Sequence, residues 1–310
     1  MRRILLSLAL ITAAVALPVA GTQAYSTGVS DQLASTFTNP LYAPLKLKVA
    51  RYILPYDVMK SPADLNAARQ WIAAAQGARQ RILVAFEHSH IHGRERHLPS
   101  VGEYTKDLKA FRKAFPQVKE WSPWNEVNRC QRVALGTVVG QPTCHRPDLA
   151  AKYYMAARKA CPKCKIVALD VLDQNNVKPT VAYIKKFLRY ARPFPKIWGL
   201  HNYSDTNRFS SKRTRAVLKA TRKGQVWLTE TGGIVKFGSN FPYDLNRAAR
   251  ALGCMFTLAK QNSRIKRLYI YQFNGAPKGF SFDAGIINTD DTPRPSWTIV
   301  QQRKSRACRK

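Results

Sequence analysis

The chain has 310 residues, 45% of them apolar and 22% charged. That composition excludes disorder, collagen and coiled coil and leaves room for one large or two ordinary globular domains. Its 51 Lys and Arg against 18 Asp and Glu give a net charge of +33, which shapes what the protein adheres to but not how it folds.

Arg2 and Arg3 precede an apolar run over residues 4–17, followed by Pro18, Gly21 and Ala24. This order predicts a secretory signal peptide over 1–24 with cleavage near Ala24. The run is shorter than the roughly 20 residues of a membrane span, so an uncleaved anchor is the lesser reading. The mature chain is expected to be a soluble monomer, extracellular or wall-associated.

From Tyr25 onward, short β-branched or aromatic runs alternate with segments of helical periodicity. Strands are predicted at 25–30, 47–54, 81–87, 118–124, 166–172, 197–203, 226–229 and 268–273. Helix starts are marked by Ser61 with Pro62 and Asp64, and by the capping box of Ser100 and Glu103. Apolar residues recur at helical spacing through Val181, Ile184, Leu188 and Ala191, and again through Leu245, Ala248, Leu252, Phe256 and Ala259. Eight strand and helix units imply parallel pairing and predict a single-domain α/β fold, a (β/α)8 TIM barrel over 25–302. A doubly wound sheet is the rival, but no GxGxxG or GxxxxGK[ST] nucleotide cradle occurs. The basic tail, 303–310, is expected to be loosely held.

Six cysteines agree with an oxidising compartment. Pairing neighbours gives Cys130 with Cys144, Cys161 with Cys164, and Cys254 with Cys308, although six cysteines allow 15 connectivities. A zinc site at the CPKC of 161–164 is the competing reading, and it lacks a second Cys or His pair.

In such a barrel the chemistry sits at the C-terminal strand ends, and polar residues gather there. The second strand carries Arg51, the third runs into Glu87, His88 and His90, and the fourth ends in Trp124, Asn125 and Glu126. The sixth ends in His201, Asn202 and Tyr203, the seventh in Glu230, and the eighth in Tyr271, Gln272 and Phe273. Carboxylates on the fourth and seventh strands would face each other across the mouth, as two-carboxylate glycoside chemistry requires.

These residues resemble the retaining glycoside hydrolases of clan A, in WNE at 124–126 and TETGG at 229–233. The likeness is nearest to secreted bacterial xylosidase-like and endoglycosidase-like members. It implies Glu126 as general acid and base, Glu230 as nucleophile, and Asn125 as the partner of a sugar 2-hydroxyl. Arg51 and Tyr203 match positions that keep the nucleophile ionised and oriented, and His201 belongs to the same network. The implied activity is hydrolysis of β-linked polysaccharide without metal or organic cofactor. Many clan members place a Trp at the end of the eighth strand, where this chain offers Phe273 beside Tyr271.

Trp124 and Phe273 are the expected sugar platforms, with Trp198 and Trp227 structural. The histidines of 88–92 could suggest a metal. The further His and Asp ligands of a metal barrel are not completed, so His88 or His90 is expected to line the cleft and His92 to lie in a loop. Asp170, Asp173 and Asp205 are weaker candidates for sugar hydroxyls. The cations of 212–223 read as a solvated helix face, while the total charge predicts salt-dependent adhesion to anionic wall polymers. The alternative function is a non-catalytic carbohydrate- or wall-binding barrel; no nucleic-acid motif is present.

Overall fold

Short strands that alternate inward and outward residues build the core of the computed structural model, which describes residues 25–130 and 140–308. The expected signal segment and residues 131–139 of the stapled loop lie outside the described residues. Among the described residues the strands are β1 (Ser26–Ser30), β2 (Val49–Pro55), β3 (Arg81–Glu87), β4 (Glu120–Ser122), β5 (Lys165–Ile166), β6 (Asp170–Leu172), β7 (Ile197–His201), β8 (Gln225–Thr231), β9 (Lys236–Phe237), β10 (Ile265–Ile270) and β11 (Phe282–Asp283). The main sheet runs β5-β4-β3-β2-β1-β10-β8-β7-β6, every pairing parallel. β5 and β6 are two parts of the fifth barrel strand. Val167 N–H donates to Trp121 O at 2.8 Å and Ala168 N–H to Ile197 O at 2.9 Å, so this strand bonds to both neighbours and closes the ring. The predicted (β/α)8 barrel is the observed fold.

Helices α1 (Pro62–Gly77), α2 (Val101–Ala114), α3 (Pro147–Ala160), α4 (Lys178–Tyr190), α5 (Tyr203–Asn207), α6 (Lys212–Ala220), α7 (Leu245–Gln261) and α8 (Pro295–Gln302) surround the strands. Their starts are where the capping residues predict: Ser61 Oγ accepts from Asp64 N–H, and Ser100 Oγ from Glu103 N–H at 3.1 Å. α7 buries Leu252, Met255 and Phe256 against the sheet, each such side chain contributing about 1.5–3 kcal/mol.

Inside the barrel the period of two sorts residues into layers. Val49, Leu83, Val167, Trp227 and Tyr269 form an apolar layer. Beneath it Arg267 lies over the Trp227 ring, 3.8 Å from its centroid, and pairs through both Nη atoms with Glu120. Above it, toward the mouth, stand Arg51, Asp170 and Thr229, all fully buried.

Strand boundaries differ from expectation: the fourth strand, predicted at 118–124, spans Glu120–Ser122, and the sixth, predicted at 197–203, ends at His201. The eighth barrel strand, predicted at 268–273, runs Ile265–Ile270. Lys266 and Arg267 disguise its start in the sequence, and the Arg267–Glu120 pair permits that charge inside the barrel. β9 and β11, an antiparallel pair beside the mouth, carry no periodicity long enough to predict. The basic tail is a further correction: it is fastened. Cys308 is bonded to Cys254, Arg306 N–H donates to Gly253 O at 3.0 Å, and Thr257 Oγ1 donates to Arg306 O at 2.6 Å. The other two disulfides join Cys130 to Cys144 and Cys161 to Cys164, so the CPKC thiols are consumed and offer no thiolate to zinc.

Candidate active site

Arg51 anchors the mouth. β2 carries its fully buried guanidinium into the barrel axis, where Nη1 donates to Glu230 Oε1 at 2.6 Å and to Ser30 Oγ at 3.1 Å. Nη2 donates to Asn125 Oδ1 at 2.8 Å and to Asp170 Oδ2 at 3.0 Å. One planar fork thus ties β1, β2, β6, β8 and the end of β4 together, a geometry that lysine could not reproduce. Asp170 is itself held by Thr229 Oγ1 at 2.7 Å. The carboxylate has room because β7 places glycine opposite: a Cβ at Gly199 would stand 1.7 Å from Asp170 Oδ1.

Glu230 ends β8. Its second oxygen, Oε2, accepts from Tyr203 Oη at 3.2 Å. Tyr203 opens α5 rather than extending β7, and the turn that carries it is built by two buried acids. Asp173 accepts Ser204 N–H and Asp205 N–H at 3.0 and 2.9 Å, and Asp205 accepts Thr214 N–H at 2.6 Å. Both acids are therefore engaged in shaping the loop, away from any sugar. Burial pushes Asp173 up to about 7 despite those backbone donors.

Glu126 follows β4 with φ of 43°, a left-handed backbone that costs a non-glycine residue about 1–3 kcal/mol. Its two oxygens have separate partners: Oε1 lies 3.0 Å from His201 Nδ1, and Oε2 pairs with Arg129 Nε at 2.5 Å. Burial alone would raise its pKa, but His201 and Arg129 outweigh burial and hold it at about 2. Burial likewise opposes charge on His201, yet the facing carboxylates of Glu230 and Glu126 raise it overall. Carboxylate oxygens of Glu126 and Glu230 and a nitrogen of His201 all lie within 4.8 Å of one another. These three could together ligate a cation; in this structure the partners of Glu230 and Glu126 are the Arg51 and Arg129 guanidiniums.

The stapled loop is anchored to the same site. Gln141 N–H donates to Arg129 O at 2.7 Å, its Oε1 accepts from Trp124 Nε1 at 2.8 Å, and its Nε2 donates to Glu87 Oε2 at 3.3 Å. Burial works against charge on Glu87, but His90 and His88 hold its pKa below the usual range. His90 bridges Asp64 Oδ1 at 2.9 Å and Glu87 Oε1 at 3.3 Å, which raises it to about 9. Both its ring nitrogens are thereby committed to carboxylates. His88 is buried 3.5 Å from Glu87, and His92 is fully exposed beside Glu95.

The structure thus brings Arg51, Asn125, Glu126, His201, Tyr203 and Glu230 into one network. It does not present Trp124 or Phe273 as open platforms. Trp124 is 1% exposed and stacked on Tyr153 at 5.3 Å, and Phe273 is fully buried edge-on against Tyr42. The half-buried aromatics at the mouth are instead Tyr271, from the end of β10, and Phe282 on β11, their rings 6.1 Å apart, with Tyr203 6.4 Å from Phe282. Arg129, Gln141 and Gly199 are the participants that sequence reasoning missed. The i,i+3 offset of Arg129 from Glu126 and a lone glycine inside a strand were the available signals.

This geometry defines a parallel α/β barrel with two carboxylates converging at its C-terminal mouth. No protein-family model and no curated protein matches the sequence. Solved structures do. A family 10 glycoside hydrolase from Paenibacillus barcinonensis is 12% identical, with TM-score 0.64 over 91% of this chain and 95% of that one. Xylanase 10B from Thermotoga maritima is 14% identical, with TM-score 0.63 over 91% and 96%. A fungal β-1,4-galactanase is 14% identical, with TM-score 0.66 over 90% and 99%. The chain has the barrel fold of the clan A glycoside hydrolases over most of its length.

Proposed function

We propose that the protein is a secreted retaining glycoside hydrolase that cleaves β-linked polysaccharide by double displacement. The observation that carries this reading is the approach of the Glu126 and Glu230 carboxylate oxygens to within 4.8 Å. Retention goes with carboxyl groups about 5–5.5 Å apart, whereas inversion needs a wider gap to seat a water.

Glu230, charged and oriented by Arg51 and Tyr203, attacks the anomeric carbon while the glycosidic oxygen takes a proton. In the resting site Glu126 is not a proton-bearing acid, because Arg129 and His201 favour its carboxylate. The proton belongs to the His201–Glu126 pair, across the 3.0 Å from Nδ1 to Oε1. As negative charge develops on the leaving oxygen, the proton moves from His201 Nδ1 through Glu126 Oε1 to that oxygen, leaving His201 neutral and Glu126 a carboxylate. Once Glu230 is glycosylated and neutral, Glu126 is the base that activates water. Asn125 is held by its Oδ1 on Arg51, which leaves its amide for the sugar 2-hydroxyl. This chemistry uses protein carboxylates throughout and calls for no metal or organic cofactor.

The test is reducing-end release from β-glucans, xylans, mannans, galactans and acidic polysaccharides, comparing the protein with Glu230→Gln. Mass spectrometry of a 2-fluoro-glycoside adduct then locates the nucleophile. Release abolished in the variant, with label on Glu230, supports the reading. Release equal in both proteins, or label elsewhere, overturns the assignment of Glu230. No release from any polymer leaves the carbohydrate-binding barrel as the function.

A further inference from the structure

The positive charge is not spread evenly around the barrel. The helices α2, α3, α4 and α6 carry fifteen Lys and Arg residues, against four on α1, α7 and α8, and from residue 104 to 223 every fully exposed charged side chain among the described residues is basic. The carboxylates of that stretch are buried or half-buried and already engaged, Asp107 by Lys60, Glu120 by Arg267, Asp148 by Arg146 and Asp205 by Arg213. α4 and α6 contain no acidic residue at all. These helices are neighbours, with α2 against α3, α3 against α4, and α4 against α6, so their cations form one continuous wall. Lys109, Lys152, Lys159, Lys185, Arg189 and Lys219 are exposed on it.

Uncompensated cations repel one another, and like pairs at i,i+4 on a helix destabilise it. A surface with both signs interspersed would avoid that cost, yet among the described residues only Asp290 and Asp291 are fully exposed carboxylates, and neither lies on these helices. Aromatic side chains, which stack bases in single-stranded nucleic-acid binders, are sparse: Tyr190 is the one fully exposed aromatic on the four helices. Three disulfides join described residues, a pattern of oxidising compartments, where acidic glycans rather than nucleic acids are the common polyanions.

We infer that the outer wall formed by α2, α3, α4 and α6 is a docking surface for an acidic polysaccharide, separate from the barrel mouth. Cations three and four residues apart on one helix stand about 5–6 Å from each other, and the adjoining helices extend the array sideways, so a flexible chain with a charge on each ring meets several at once. Binding releases counterions and is therefore salt-dependent. The surface holds whether or not the mouth is hydrolytic.

The experiment measures binding of polygalacturonate to the whole protein from 50 to 500 mM NaCl. One variant is Lys185→Glu with Lys186→Glu and Arg189→Glu, on the wall. The control, Arg69→Glu with Arg250→Glu and Lys260→Glu, makes the same charge change on α1 and α7. The wall variant is expected to lose at least about tenfold in affinity at 50 mM salt, with the log–log salt slope reduced by about two. The control loses less than about threefold. Equal losses in wall and control variants would reduce the effect to net charge and overturn the inference. So would tighter binding of duplex DNA than of polygalacturonate at matched salt. Failure of hydrolysis in the reducing-end assay leaves these results untouched, so the two readings fail separately.

Discussion

Replacing Arg51 by methionine removes the nearest cation of both Glu230 and Asp170. The side chain is fully buried, and its two Nη atoms serve Glu230, Asp170, Asn125 and Ser30 within 2.6–3.1 Å. Methionine fills similar length but leaves two carboxylates facing one another out of water. Breaking a buried ion pair from one side costs about 3–5 kcal/mol, a large share of the 5–15 kcal/mol that typically separates folded from unfolded chains. At about 2–4 °C per kcal/mol for chains of this order of size, the melting temperature should fall by about 6–20 °C at pH 7. The sign with pH follows from the charge removed. In the variant a carboxylate retains its proton above its unfolded pKa near 4, so the variant's stability declines as pH rises through that range. The deficit relative to the parent is therefore smaller at pH 4.5 than at pH 7. Urea unfolding at both values measures it, and Arg51→Lys should recover part of the stability without restoring the fork to Asn125. A deficit equal at the two pH values, or below about 1 kcal/mol at pH 7, would refute the account of Arg51 as the shared counter-ion.

Arg129→Gln removes the cation 2.5 Å from Glu126 and should raise the Glu126 pKa, which Arg129 and His201 hold low; the pH profile of kcat/KM should shift its alkaline limb upward, and an unmoved limb refutes the role of Arg129. Because Glu126 is held low when folded, its contribution to stability is present above its ordinary 4.5 and lost as pH falls toward about 2. Glu126→Gln should accordingly flatten acid unfolding across that window, measured by denaturant titration at pH 2–5. At the opposite end of the barrel, Glu120→Gln breaks the paired Arg267 on the floor and should destabilise by about 3 kcal/mol while leaving kcat unchanged. Removing the disulfide between Cys254 and Cys308, 54 residues apart, by double serine substitution should cost about 4 kcal/mol on the loop-entropy account. Retained activity with earlier proteolysis of the tail is the expected companion result.

The number of barrel strands and the helix starts at Ser61 and Ser100 were legible because they are local. A period of two, a period of 3.6 and a capping serine act within a few residues, so Ser61, Ser100 and the alternation along 81–87 declare themselves without a partner. The same locality put Glu126 and Glu230 at strand ends, and neighbour pairing found the three disulfides. The tertiary structure alone decided what those ends do to one another. Asp170, Asp173 and Asp205 look alike in sequence, yet one counters Arg51 beneath Gly199 and the other two brace the turn of Tyr203. Trp124 and Phe273 stand where platforms were expected and are buried, because Tyr153 and Tyr42, distant in the chain, pack on them. His201, at the end of β7, reaches Glu126 only when the ring closes, and its pairing decides the charge of Glu126 together with the local Arg129. Interactions of this kind depend on distances across the barrel, and a one-dimensional pattern carries the identity of the groups but not those distances.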